Sequence, residues 1–131
     1  KFEDEGEMKA STRWTPLFLQ VLDILGARGY KADKAAKNAA KAWGALTKLR
    51  QNPEESTDVI ADHDMISAYR VAVSGITGAA VPALLPIVLT DIYLERIKRG
   101  GYNMGHPLVR RSDPGTMAFL RLWWAVNRRR I

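Results

Sequence analysis

Asp58, Asp62, His63 and Asp64 are the one stretch where carboxylates and an imidazole crowd together. Asp58 and Asp62 stand four apart, on one helical face, with His63 adjacent, a set that could hold a divalent cation or supply a general base. No further ligand motif accompanies them, and acids in the first turn of a helix account for the same residues through the helix dipole. His106 precedes Pro107 with no Ser or Cys nucleophile context, which reads as a loop contact. Gly75 and Gly78 form neither a dinucleotide fingerprint nor a Walker loop. Cysteine is absent, so thiol nucleophiles, Cys-ligated zinc, iron–sulfur clusters and disulfides are all excluded. These residues predict a chain that is not an enzyme and calls for no cofactor or metal.

The remaining chemistry is cationic. Placed on a helix at about 100° per residue, Lys34, Lys37, Lys41 and Lys48 fall within one strip, while Ala36, Ala39, Trp43 and Leu46 lie opposite. Such a helix can lie along a polyanion with its back packed closely on a neighbour. A second block comprises Arg96, Lys98 and Arg99 before Gly100-Gly101, then Tyr102, Asn103 and His106, then Arg110 and Arg111. Guanidinium, amide and phenol groups, with glycine amides left free, all suit phosphate oxygens. Arg121 and the run Arg128, Arg129, Arg130 add a third cluster. Cations at helix C-termini also complement the dipole, which explains part of each cluster but not all three together with the lysine strip.

The charge is segregated along the chain. Residues 1–30 carry four bases and five acids, 31–50 six and one, 51–70 one and five, 71–90 none, and 91–131 nine and three, giving the net +6. With 131 residues, 47% hydrophobic and 26% charged, the chain fits one domain and excludes a disordered tail or a multi-domain enzyme.

These side chains need elements to position them. Residues 1–12 are acid-rich (Glu3, Asp4, Glu5, Glu7) with Phe2 and Met8 as the apolar anchors, and cannot fold alone. They read as an extended arm whose Phe2 and Met8 plug into a neighbouring subunit. Residues 13–131 read as a single helical domain. The start at Lys1, with no cationic leader followed by an apolar core, is expected of a trimmed chain without a retained signal peptide. Thr15-Pro16 predicts a helix opening, with apolar residues at helical spacing up to Gly26. A second helix is expected over about 32–50, and a third capped by Asn52 or Ser56 and running towards Val73. A fourth runs from about Val81-Pro82 to Lys98, with a kink at Pro86, and a last one from Ser112 to the terminal arginines. No segment alternates as a strand, so the fold class is all-α, about five helices in a compact bundle.

Two segments carry extra apolar surface. Residues 71–90 lack charge and could serve a membrane-associated protein, with Arg70, Arg96 and Lys98 as interfacial anchors, although Ser74, Gly75, Thr77, Pro82 and Pro86 lower their apolarity. A membrane partner is therefore not the expectation. The last helix is apolar nearly all round, which predicts either a central core helix or a subunit contact through Phe119, Trp123 and Trp124.

An N-terminal arm, a helix pair over 15–50 and a compact helical remainder bearing basic stripes is an arrangement similar to the major coat proteins of filamentous or rod-shaped archaeal viruses. That resemblance implies a structural protein wrapping linear double-stranded DNA without reading its sequence, in a helical virion assembled in the host cytoplasm from many copies, as homo- or hetero-oligomers. A cellular chromatin-type DNA-binding protein is the neighbouring alternative.

Overall fold

The computed structural model describes the backbone of residues 2–111 and 115–131, and the side chains of residues 13–111, 115 and 118–131. It is all-α: α1 (Phe2–Ile24), α2 (Tyr30–Gln51), α3 (Val59–Ala72), α4 (Pro86–Arg99), the single turn α5 (Pro107–Arg110) and α6 (Thr116–Arg128). Two 3₁₀ segments, Pro53–Glu55 and Gly78–Leu84, join them, so the chain has more and shorter pieces than five helices. Among the described residues no strand forms.

Helix α2 is the axis of the fold. Alanine has the highest helix propensity, and Ala35, Ala36, Ala39, Ala40 and Ala42 are all buried on this helix together with Gly44, Leu46 and Leu49. Methyl-sized side chains let α1, α3 and α4 approach α2 from several sides. Its first turn is held by Asp33, which accepts both nitrogens of the Arg28 fork at 2.9 and 3.0 Å and the Gly29 amide at 3.3 Å. The Arg28 hydrogen bond holds the Asp33 carboxyl below the usual carboxylate range.

Helix α1 packs Phe18 and Leu22 onto α2, and Trp14 meets Trp43 edge to face at 6.2 Å. It does not begin at Thr15: the backbone is helical from Phe2, and Pro16 lies inside it. The strand-like or irregular arm expected for residues 1–12 is thus replaced by helix, because the turns of a helix that is anchored downstream add a bond for each residue fixed. The side chains of Phe2 and Met8, proposed from sequence as plugs, lie outside the described residues.

Helix α3 is capped by Asp58, whose carboxylate accepts from the Ala61 amide at 3.1 Å, rather than by Asn52 or Ser56. The Ser56 hydroxyl instead donates to Asp62. Among the described residues no single helix is long and apolar enough to cross a membrane, although the pair Gly78–Leu84 and Pro86–Arg99, bent by 53°, passes on length and composition. Ala80, Val81, Ala83, Leu84, Ile87, Val88 and Thr90 are buried, so this stretch builds core. Pro86 occupies the first turn of α4, where its missing N–H costs nothing, so it starts a helix rather than kinking one. Arg70, expected as an anchor of the membrane alternative, is tied to Asp91 at 2.7 Å and links α3 to α4.

The last helix corrects the core reading. Helix α6 lies on the surface, burying Ala118 and Ala125 while Phe119, Leu120, Trp123, Trp124 and Val126 remain between 41% and 68% exposed. Its far end is fastened by Arg129 in the left-handed region (φ 50°), an isolated antiparallel bridge between Thr77 and Arg130, and the Ile131 amide donating to the Ile76 carbonyl at 3.0 Å.

Candidate nucleic-acid interface

Helical register explains why the α2 lysines reach water. The buried arc of α2 covers most of its circumference and leaves one strip outside, where Lys34, Lys37 and Lys48 stand exposed without an ion pair among the described residues. Lys41 is different. It is half-buried, with its ammonium 5.5 Å from the Tyr69 ring on α3, so the strip offers three free cations. Lys31, one turn earlier and also exposed, was not in the predicted set.

The second block divides into three kinds of residue. Arg96 is half-buried and donates to the Arg111 carbonyl at 3.2 Å; Arg50, which the sequence reading missed, donates to the same oxygen at 3.4 Å. Both guanidinium groups lie over the Tyr93 ring, at 3.7 Å for Arg50 and 5.5 Å for Arg96. Arg96 and Arg111 also converge on Gly115, the cap of α6. This cluster closes the C-terminal ends of α2 and α4 against α5. Arg50 sits well around α2 from the lysine strip, so the strip and the cluster occupy different sides of that helix.

Arg99 and Arg121 share Glu95. Their guanidinium nitrogens donate to its two carboxylate oxygens at 2.9 and 3.2 Å, joining α4 to α6. These two arginines, named from sequence as phosphate contacts, are neutralised within the chain. Arg128 lies over Trp124 at 4.2 Å. Lys98, Arg110, Arg129 and Arg130 are exposed and carry no ion pair among the described residues.

The donors expected between the arginines are largely used internally. Gly100 and Gly101 amides donate to the carbonyls of Arg96 and Lys98, and Tyr102 to Ile97 at 2.9 Å, closing α4. Asn103 accepts from the Gly105 amide, and His106 from the Leu108 amide at 3.1 Å, capping α5. A helix end must satisfy its orphan groups first, which is why this glycine pair and its neighbours do not present free amides to a phosphate.

The acidic candidates have structural employment too. His63 is buried, its Nε2 3.1 Å from the Leu94 carbonyl and its ring edge-on to Tyr102 at 5.3 Å. Asp58 caps α3 and Asp62 accepts from Ser56. Among the described residues no group of three His, Asp or Glu side chains converges as a metal site would require. The recess between the α1–α2 turn and the 3₁₀ segment, 240 Å³ and lined by Ala27, Lys31, Ala32, Ile76, Thr77, Ala79 and Ala80, is small and open for a substrate pocket.

What the geometry presents is thus a set of solvent-facing cations, not a cleft. Comparison with family models, with curated proteins and with solved structures finds no match for this chain.

Proposed function

We propose that this chain is a structural protein that coats duplex DNA without reading its sequence and assembles with copies or relatives of itself, as a virion coat protein does. The observation carrying this reading is that seven of the cations singled out from the sequence, Lys34, Lys37, Lys48, Lys98, Arg110, Arg129 and Arg130, are exposed with neither an ion pair nor a ring contact among the described residues. Leaving so many like charges unpaired on 131 residues is unfavourable for the isolated chain through self-repulsion. A polyanion relieves it by releasing its own counterions. Solvent-facing lysine and arginine side chains suit phosphate contacts, which position a protein on the duplex without reading its bases.

The test is fluorescence anisotropy with duplexes of unrelated sequence across a salt series. If all seven cations meet phosphates, the log–log slope reaches about −6, and it is the same for every sequence. A flat salt response overturns the reading, as does strong discrimination between sequences. Negative-stain images of the protein with linear duplex test the coating itself: filaments support it, and scattered single particles at saturating protein count against it.

A further inference from the structure

The fold leaves two apolar faces uncovered, and their charges are opposite. On α1, Leu17, Val21 and Ile24 recur at helical spacing and are 49%, 41% and 76% exposed, with Leu25 beside them. On α6, Phe119, Leu120, Trp123, Trp124 and Val126 form an exposed arc that among the described residues also holds Asn127. At about 200 Å² per aromatic side chain, the three α6 rings alone leave roughly 340 Å² in water. That approaches half of the ~800 Å² each partner contributes to a stable interface.

The sequence of α1 holds five acids, Glu3, Asp4, Glu5, Glu7 and Asp23, against Lys9 and Arg13, a net of −3. Helix α6 with the residues that follow it holds no acid and a net of +4, of which Arg121 is paired with Glu95 while Arg128, Arg129 and Arg130 carry no ion pair among the described residues. Pairing α6 with α6 sets arginines against arginines, and pairing α1 with α1 sets acids against acids. Pairing α6 with α1 joins apolar surface to apolar surface and positive to negative. Within one chain the two faces do not cover each other, since both are exposed.

We propose that α6 of one copy docks on the Leu17, Val21 and Ile24 face of α1 of the next, a head-to-tail contact that leaves one free face at each end. Such a contact repeats without closing when its rotation does not return to the start, which yields a filament. The inference rests on the self-assembly part of the reading above and specifies which surfaces mate. Trp123 and Phe119 supply rigid anchors of the kind that dominate interfaces. The Arg128 guanidinium, already stacked on Trp124, stands at the edge of the α6 face.

Sedimentation of the full chain without nucleic acid tests it, using two double variants. One carries Leu17→Lys with Ile24→Lys, the other Phe119→Lys with Trp123→Lys. Each retains one intact face, so each alone loses association by about thirtyfold or more. Mixed in equal amounts, they form a one-to-one pair that grows no further. The single variants Ile24→Ser and Phe119→Ser, at the most exposed position of each face, repeat the test should a double variant lose its helical circular dichroism. Two results overturn the pairing while leaving self-assembly intact: wild type that associates while the two variants do not pair, and an α1 variant that still dimerises through α6. Wild type that stays monomeric at every concentration overturns both the pairing and the self-assembly reading.

Discussion

On the proposed reading a polyanion must compete with Glu95 for Arg99 and Arg121, and replacing Glu95 with Gln isolates that competition. Its two oxygens hold Arg99 and Arg121, and the three side chains are 41%, 69% and 42% exposed. Pairs this exposed contribute about 0–1 kcal/mol each and the i,i+4 pair about 0.3–0.5, so Glu95→Gln costs the fold little. The effect on binding is larger. Two released guanidinium groups that reach phosphates steepen the salt slope by about 1.8 and tighten binding at 50 mM salt by up to about a hundredfold. Glu54→Gln is the control: it changes the net charge equally but removes an exposed acid that holds no arginine among the described residues. Anisotropy against one duplex over a salt series reads both slopes, and urea denaturation checks that stability is retained. An unchanged slope for Glu95→Gln, or the same change for both variants, refutes the expectation that Arg99 and Arg121, once released from Glu95, join the phosphate contacts.

Replacing Lys34, Lys37 and Lys48 together by Gln should reduce the slope by about 2.7 with helical content unchanged, whereas adding Lys41→Gln should change binding little because Lys41 faces Tyr69. Gly100→Ala places a Cβ 2.8 Å from Val109 Cγ2, so thermal melts should show a loss of about 1–3 kcal/mol, and adding Val109→Ala should recover part of it. The Asp33 carboxyl is held low by Arg28, so its contribution to stability is fully present above the ordinary Asp value of about 3.9 and fades as pH falls through the lower folded value. The difference in melting temperature between wild type and Asp33→Asn should therefore hold from pH 7 to 5 and vanish in acid.

Helix class, the α2 boundaries and the opposition of its lysines to Ala36, Ala39 and Leu46 were legible because a period of 3.6 is written directly in the sequence. Interactions between distant residues were not. Glu95 disarming Arg121, Arg50 joining Arg96 over Tyr93, and Arg70 finding Asp91 all depend on which helices meet, which no local pattern records. One such pair is written locally: Arg99 follows Glu95 by four residues, the spacing of a helical ion pair. The position of α6 was ambiguous from its sequence because Leu and Trp occur on most sides. Ala118 and Ala125, seven residues apart on one side, mark where that helix comes close to its neighbours, and small size rather than apolarity was the clue. The glycine pair at 100–101 was misread as free backbone for the opposite reason. Here the amides of Gly100 and Gly101 close the last turn of α4 on the carbonyls of Arg96 and Lys98.

The crowding of α2 has a consequence for how this protein can change over generations. Its inner side is made of methyl groups at Ala35, Ala36, Ala39, Ala40 and Ala42, where any larger residue overpacks three neighbouring helices. The same helix carries Lys34, Lys37 and Lys48 on an exposed strip, where substitutions alter stability by only about 0.5 kcal/mol. Folding and surface charge are therefore inherited through interleaved but independent positions. Substitutions on the strip can raise or lower the cation count without disturbing the packing while the inner positions stay frozen, so the affinity for a polyanion can be tuned separately from the shape.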